Sequence, residues 1–188
     1  KLNDPEQLAI LVAETVEKLG GLDILVTDFL LRQPEPLSRV DDKLEAVLKQ
    51  RATLVMAACR AALPHLKKSP AGRIINLGFL RSFFAADGAD ASARAERDLA
   101  NLTRALAAET GEFGITANYI QPGAVMTPES REVFRKNKGL RDYCIQSSAA
   151  RRLGEPVDIA KVALFLASGD AVFVSGAGIA VDGGRLAN

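Results

Sequence analysis

The chain has 188 residues, 48% of them hydrophobic and 25% charged, and carries a net charge of +1. Such a composition belongs to a globular chain with enough length to bury a substantial core, and it excludes disorder. Lysines and arginines are scattered rather than clustered, which excludes a nucleic-acid footprint.

The elements alternate helix and strand from the start. Asp4-Pro5-Glu6 reads as N-cap, first-turn proline and first-turn acid. Leu8, Leu11, Val12, Val16 and Leu19 then recur at helical spacing until Gly20-Gly21 stops the helix. Residues 22–26, "LDILV", form a short apolar strand. Asp41-Asp42 opens a long helix over 41–66, with Leu44, Val47, Leu48, Leu54, Val55 and Leu63 on its inner faces. Cys59 lies in this run and is expected to be a buried free thiol. It and Cys144 show no CxxC spacing and the chain has one histidine, so no zinc site or disulfide framework is expected. "RIINLG" (73–78) is a second buried strand, a helix follows over 89–110, and "ITANYI" (115–120) is a third strand. A connection with helical pieces spans 121–156, then a helix over 156–168 and a final strand over 178–182, "GIAVD". Residues 33–36 and 121–128 read as short proline-containing loops.

Strands buried on both faces and separated by helices imply an open parallel α/β sheet with helices on each side. No internal repeat or domain boundary interrupts the pattern, so residues 1–188 read as a single domain. No run of 18 apolar residues and no signal peptide is found, so a cytoplasmic setting without a membrane partner is expected. Ligands of such sheets sit beyond the carboxyl ends of the strands, which directs attention to residues 26–32, 77–90 and 121–130.

With those loops in view, the chain resembles the short-chain dehydrogenase/reductase family, especially its acyl-carrier-protein-reductase-like members. The resemblance rests on "GGLDILV", "AALPHL", "GRIIN", "LTRALAAE", "GITANYIQPGAVMTP", "RRLGEPVDIAKVALFLAS" and "VSGAGIAVDGG". It implies a Rossmann-type doubly wound parallel sheet in three α/β/α layers. It also implies subunit contacts through the helices at 41–66 and 89–110 and through the C-terminal strand. The family's N-terminal glycine-rich βαβ portion has no counterpart here. At about 30 residues per βαβ unit, roughly 60 residues of the family pattern are missing, and the expectation is that this is the retained part of a longer chain. Without the neighbouring strand, the sheet is expected to expose an edge and an apolar face.

The resemblance also implies a reaction, hydride transfer between a nicotinamide and a carbonyl or alcohol. In the family a tyrosine is the acid/base, and a lysine four residues later, on the same helix face, lowers its pKa and holds the nicotinamide ribose. A serine orients the carbonyl and an asparagine supports a proton relay. The matching positions here are Ser92 for the tyrosine, Glu96 for the lysine, Phe79 or Gly78 for the serine and Arg51 for the asparagine. "TDFL" (27–30) replaces a glycine-containing turn, placing Phe29 and Leu30 where backbone would approach the cofactor. A serine hydroxyl lacks a phenol's acidity. Glu96 reverses the charge that would stabilise a phenolate. At ~4 Å and an effective dielectric of ~20 that charge is worth about 4 kcal/mol, or roughly 3 pKa units, in the wrong direction. Pro122, Gly123 and Thr127 match the loop that meets the carboxamide, although Pro122-Gly123 also reads as a plain turn.

The leading expectation is therefore a non-catalytic subunit, a pseudoenzyme in a homo- or hetero-oligomer with an active oxidoreductase of the family, with no cofactor and no metal. The alternative is an active NAD(P)-dependent oxidoreductase with an unconventional proton donor, for which Tyr119 is the nearest tyrosine, though it lies in a strand. A weaker one is a cofactor-free lyase resembling halohydrin dehalogenases, with Arg94 and Asp90 in a shifted register, or a nucleophile at Ser82 or Ser92. His65, at the end of the 41–66 helix, reads as a surface or capping residue, and no Ser–His–Asp set can be assembled.

Overall fold

The computed structural model describes residues 4–28, 42–78 and 89–185, with the side chains of 42–48 and 89–95 set apart from that description. In chain order the elements are α1 (Pro5–Leu19), β1 (Ile24–Thr27), α2 (Asp42–Leu66), β2 (Arg73–Leu77), α3 (Ala89–Thr110), β3 (Thr116–Pro122), α4 (Pro128–Lys136), α5 (Lys138–Gln146), α6 (Pro156–Ala167) and β4 (Gly178–Val181). The four strands form one parallel sheet in the order β1-β2-β3-β4.

Sequence chemistry sets the helix ends. Asp4 accepts a bond from the Glu6 backbone N–H, and Gly20 closes α1 with φ of 78° while donating to the Val16 carbonyl. Thr127 and Ser130 cap α4 reciprocally. Asn137 ends α4 and opens α5 by accepting from the Leu140 N–H.

Alternate strand residues face opposite layers. Ile74, Ala117 and Tyr119 pack with Val55, Cys59, Ala62 and Leu66 of α2 and Leu99, Ala100 and Leu106 of α3. Ile75 and Ile120 pack on the other face with Leu166 of α6 and Ala171. Leu8 joins α1 to this body against Leu54 and Ala58. Cys59 is fully buried, as expected, and burial pushes its thiol up to about 12. Cys144 is likewise a buried free thiol.

Three sequence boundaries move. The first strand starts two residues later than 22, and the Asp23 carbonyl just before it accepts from the Arg73 N–H. The third strand runs on to Pro122, so 121–122 are strand and not loop. Pro122 pairs with Val181 at the strand's end, where a missing N–H does the least harm. The connection after it holds two full helices, α4 and α5. The loop at 33–36 lies outside the described residues.

Among the described residues β1 is an outer strand, and Ile24 and Val26 on it are exposed. They share the sheet face of Ile75, the face that α6 covers farther along the sheet.

Candidate functional site at the carboxyl ends of the strands

The parallel strands end together, and two helices send side chains into that end. Arg51 of α2 is nearly buried, with 11% of its side chain exposed. Its Nη2 donates to the Leu77 carbonyl at 2.7 Å and to the Gly78 carbonyl at 3.3 Å, closing the carboxyl end of β2. The same nitrogen lies 3.5 Å from Oδ1 of Asp28, the residue after β1. Burial lowers the Arg51 pKa and the Asp28 carboxylate opposes that shift. Thus one guanidinium ties α2 to the ends of two strands.

Glu96 of α3 accepts a hydrogen bond from Nε2 of Gln121 near the end of β3. The two arrangements adjoin through Gly78. Its carbonyl is bound by Arg51, its N–H donates to the Ile120 carbonyl at 2.7 Å, and a β-carbon there would lie 3.7 Å from Cα of Gln121. Beneath them, Thr27 Oγ1 donates to Asn76 Oδ1 at 2.6 Å, whereas the buried Asn76 Nδ2 has no partner.

The other matched positions have local roles. A β-carbon on Gly123 would come within 2.6 Å of Cα of Asp182, and the Gly123 N–H donates to the Val181 carbonyl. A glycine is needed there for β3 and β4 to end side by side. Thr127 is the N-cap of α4, and Pro122 is the last residue of β3. Tyr119 is packed as expected, its ring occupying the space over Gly178 in which a β-carbon would collide with Cζ. His65 is half-buried in the last turn of α2. It lies 14 residues beyond Arg51, about 21 Å along the helix axis. Phe29, Leu30, Phe79 and Ser82 lie outside the described residues, as do the side chains of Asp90, Ser92 and Arg94.

The resemblance to the family pointed to Arg51 and Glu96 but not to their partners, Asp28 and Gln121. The only signals were a charged residue at the end of an apolar strand and an amide just before Pro-Gly. A separate cleft past β3 and β4, lined by Gly123, Tyr143, Cys144, Ser148, Arg152 and Asp182, offers about 30 Å³. That is room for about two waters. No group of three or more His, Cys, Asp or Glu able to hold a metal occurs among the described residues. No helix among them is long and apolar enough to cross a membrane.

Tested against a nicotinamide nucleotide, the described residues fit in one respect and fail in another. Glu96 is an acceptor suited to ribose hydroxyls, but no cation stands at that position to depress a proton donor's pKa.

The family model described as enoyl-(acyl carrier protein) reductase matches residues 2–185. The chain is 34% identical over 179 residues to the short-chain reductase protein NovJ of Streptomyces niveus, covering 93% of this chain and 68% of that protein. The TT0495 protein of Thermus thermophilus is similar in structure, with a TM-score of 0.84 and 30% identity over 97% of this chain and 77% of its own. So is a gluconate 5-dehydrogenase of Burkholderia cenocepacia solved with NADP and tartrate. Its TM-score is 0.82 and its identity 25%, over 97% of this chain and 71% of its own. The expectation that no cofactor is involved finds no support in such a neighbour. With the parallel sheet, the flanking helices and these matches together, the chain belongs to the short-chain dehydrogenase/reductase family of oxidoreductases.

Proposed function

We propose that this chain is a non-catalytic member of its family, a pseudoenzyme subunit that supports an active NAD(P)-dependent oxidoreductase. The observation that carries this reading is Glu96. At the position matched to the family's lysine it places a carboxylate bonded to Gln121. A negative charge there raises the pKa of any nearby hydroxyl donor, and Ser92 starts from a far weaker acid than a phenol. Arg51, in place of the relay asparagine, is committed to two backbone carbonyls and Asp28. The reading concerns proton transfer and makes no demand on nucleotide binding. The partner would pack on α2 and α3, whose exposed residues include Arg60, Arg97 and Arg104.

The test is turnover. Purified protein is assayed for NADH and NADPH oxidation against aldehydes, ketones and 3-oxoacyl thioesters, and no rate above the blank is expected. A rate that scales with protein and survives repurification overturns the reading. Light scattering after co-expression with a catalytically complete relative tests the partner role, which predicts mixed oligomers.

A second reading, an active NAD(P)-dependent oxidoreductase with another proton donor, is favoured by the NADP-bearing gluconate 5-dehydrogenase neighbour. Tyr119 is a poor donor for it, since its ring is buried against Gly178. The same assay decides between the two.

A further inference from the structure

At the amino end of the sheet a buried charge is left without a counter-ion. Arg73 opens β2 and is only 4% exposed. Its Nη1 donates to the Gly72 carbonyl at 2.9 Å, its Nη2 reaches the Ser168 carbonyl at 3.5 Å, and its Nε is buried without a partner. Among the described residues no carboxylate pairs with it. A guanidinium does not give up its proton, and buried charges are ordinarily paired. Thr116, its register neighbour on β3, has a buried hydroxyl that bonds nothing, so it does not serve the guanidinium either. The Ser168 carbonyl closes α6, and the carbonyl end of that helix offsets part of the charge.

Beside this cation the sheet lies open. Ile24 of β1 stands next to Arg73 in register, about 4.8 Å away across the ladder, and Val26 stands next to Ile75. All four side chains are on the face that α6 covers, but α6 packs on β2, β3 and β4. Ile24 is left 42% exposed and Val26 51% exposed. The opposite face of β1 is closed, with Leu25 packed among Leu8, Leu54 and Ala58. Strands of a parallel sheet are normally covered on both faces by helices. Ile24 and Val26 are about 6.6 Å apart along β1, close to the rise of one helical turn, so apolar residues at i and i+4 of a helix match them. The shape of the gap thus asks for a helix, and Arg73 at its border asks for an acid on that helix.

We infer that the open side of this face, over Ile24 and Val26, docks an amphipathic helix of a partner protein whose apolar stripe is closed at one end by an aspartate or glutamate beside Arg73. The inference is independent of the non-catalytic reading, which places its partner on α2 and α3 across the sheet.

The experiment uses two labelled helical peptides, with leucines on one face and lysines on the other, identical except for a glutamate or a glutamine in the first turn of the leucine stripe. Fluorescence anisotropy follows their binding to the full chain. The glutamate peptide is expected to bind at least about tenfold tighter than its glutamine twin, since the charge pair forms away from bulk water. Arg73→Met is expected to bring the two affinities together, and Val26→Glu to weaken both by about tenfold or more. Should Arg73→Met fail to fold, Ile24→Glu replaces it: it sets a carboxylate beside Arg73 within the chain and is expected to abolish the preference. Equal affinities in wild type, no binding of either peptide at millimolar concentration, a preference that survives Arg73→Met or Ile24→Glu, or indifference to Val26→Glu overturns the inference. Light scattering of the chain alone tests the other occupant. A dimer that Val26→Glu returns to monomer means that a second copy covers this face, and that result overturns the inference too.

Discussion

Replacing Arg51 by alanine should destabilise the fold by about 3 kcal/mol. The figure follows from what the guanidinium touches. It donates to the Leu77 and Gly78 carbonyls at 2.7 and 3.3 Å. Charge-assisted bonds contribute roughly 1.5–3 kcal/mol each when short, and less when stretched. The ion pair with Asp28, whose side chain is 45% exposed, adds under about 1 kcal/mol. Against these stands the desolvation that lowers the Arg51 pKa, and water entering the truncated site recovers part of the carbonyl bonding. The net of about 3 kcal/mol corresponds to a fall of roughly 6–12 °C in Tm for a chain of this size. Urea unfolding at constant m-value gives the free energy. Asp28→Asn is the control and should cost under about 1 kcal/mol. If Arg51→Ala lies within about 0.5 kcal/mol of wild type, the tie across the strand ends contributes no stability. If Asp28→Asn costs as much as Arg51→Ala, the ion pair and not the carbonyl capping is the source.

Cys59 should resist a thiol reagent at pH 8 in the native state and react only on unfolding, which timed absorbance in and out of urea will show. Its folded thiol is raised to about 12 from an ordinary 9.0. The stability linked to this shift is therefore full below pH 9 and declines as pH rises from 9 to 12, so the gap between wild type and Cys59→Ala should narrow across that window. Asp158 behaves in the opposite sense. Bonds from Arg152 and from the Glu155 N–H hold its carboxyl near 2 against an ordinary 3.8. Its contribution is present above pH 3.8 and lost as pH falls toward 2, so urea midpoints of wild type and Asp158→Asn should converge in acid. Gly178→Ala should cost about 1–3 kcal/mol, because the new methyl would meet the Tyr119 ring. Most of that cost should vanish in a Tyr119→Val background; equal costs in both backgrounds would mean that the ring is not the obstacle.

The fold was legible wherever one residue's chemistry acts on its neighbours. Asp4, Pro5 and Gly20 mark the ends of α1 from within a few positions, and the apolar spacing of α2 and α3 follows from burial on one side. The α4–α5 pair was seen only as helical pieces. Its N-cap box joins Thr127 to a serine three residues on and not to the usual glutamate, and a single asparagine, Asn137, serves both helices. The site divides along the same line. The resemblance to the family, and no spacing of residues, singled out Arg51 and Glu96. Leu77, which Arg51 binds, and Gln121, which Glu96 binds, lie 26 and 25 residues away in sequence, a separation at which no periodicity speaks. The same distance shapes what a single substitution can reveal. Each matched position was first judged against the tyrosine-lysine chemistry it lacks, yet Glu96 is not a solitary loss: it stands with Gln121, and Arg51 stands with Asp28 and the end of β2. Restoring lysine at 96 alone would require the Gln121 amide to turn its carbonyl toward the new cation. Any attempt to rebuild the family's tyrosine-lysine pair must change 92 together with 96, and a failure of Glu96→Lys by itself is no measure of how far the chain stands from catalysis.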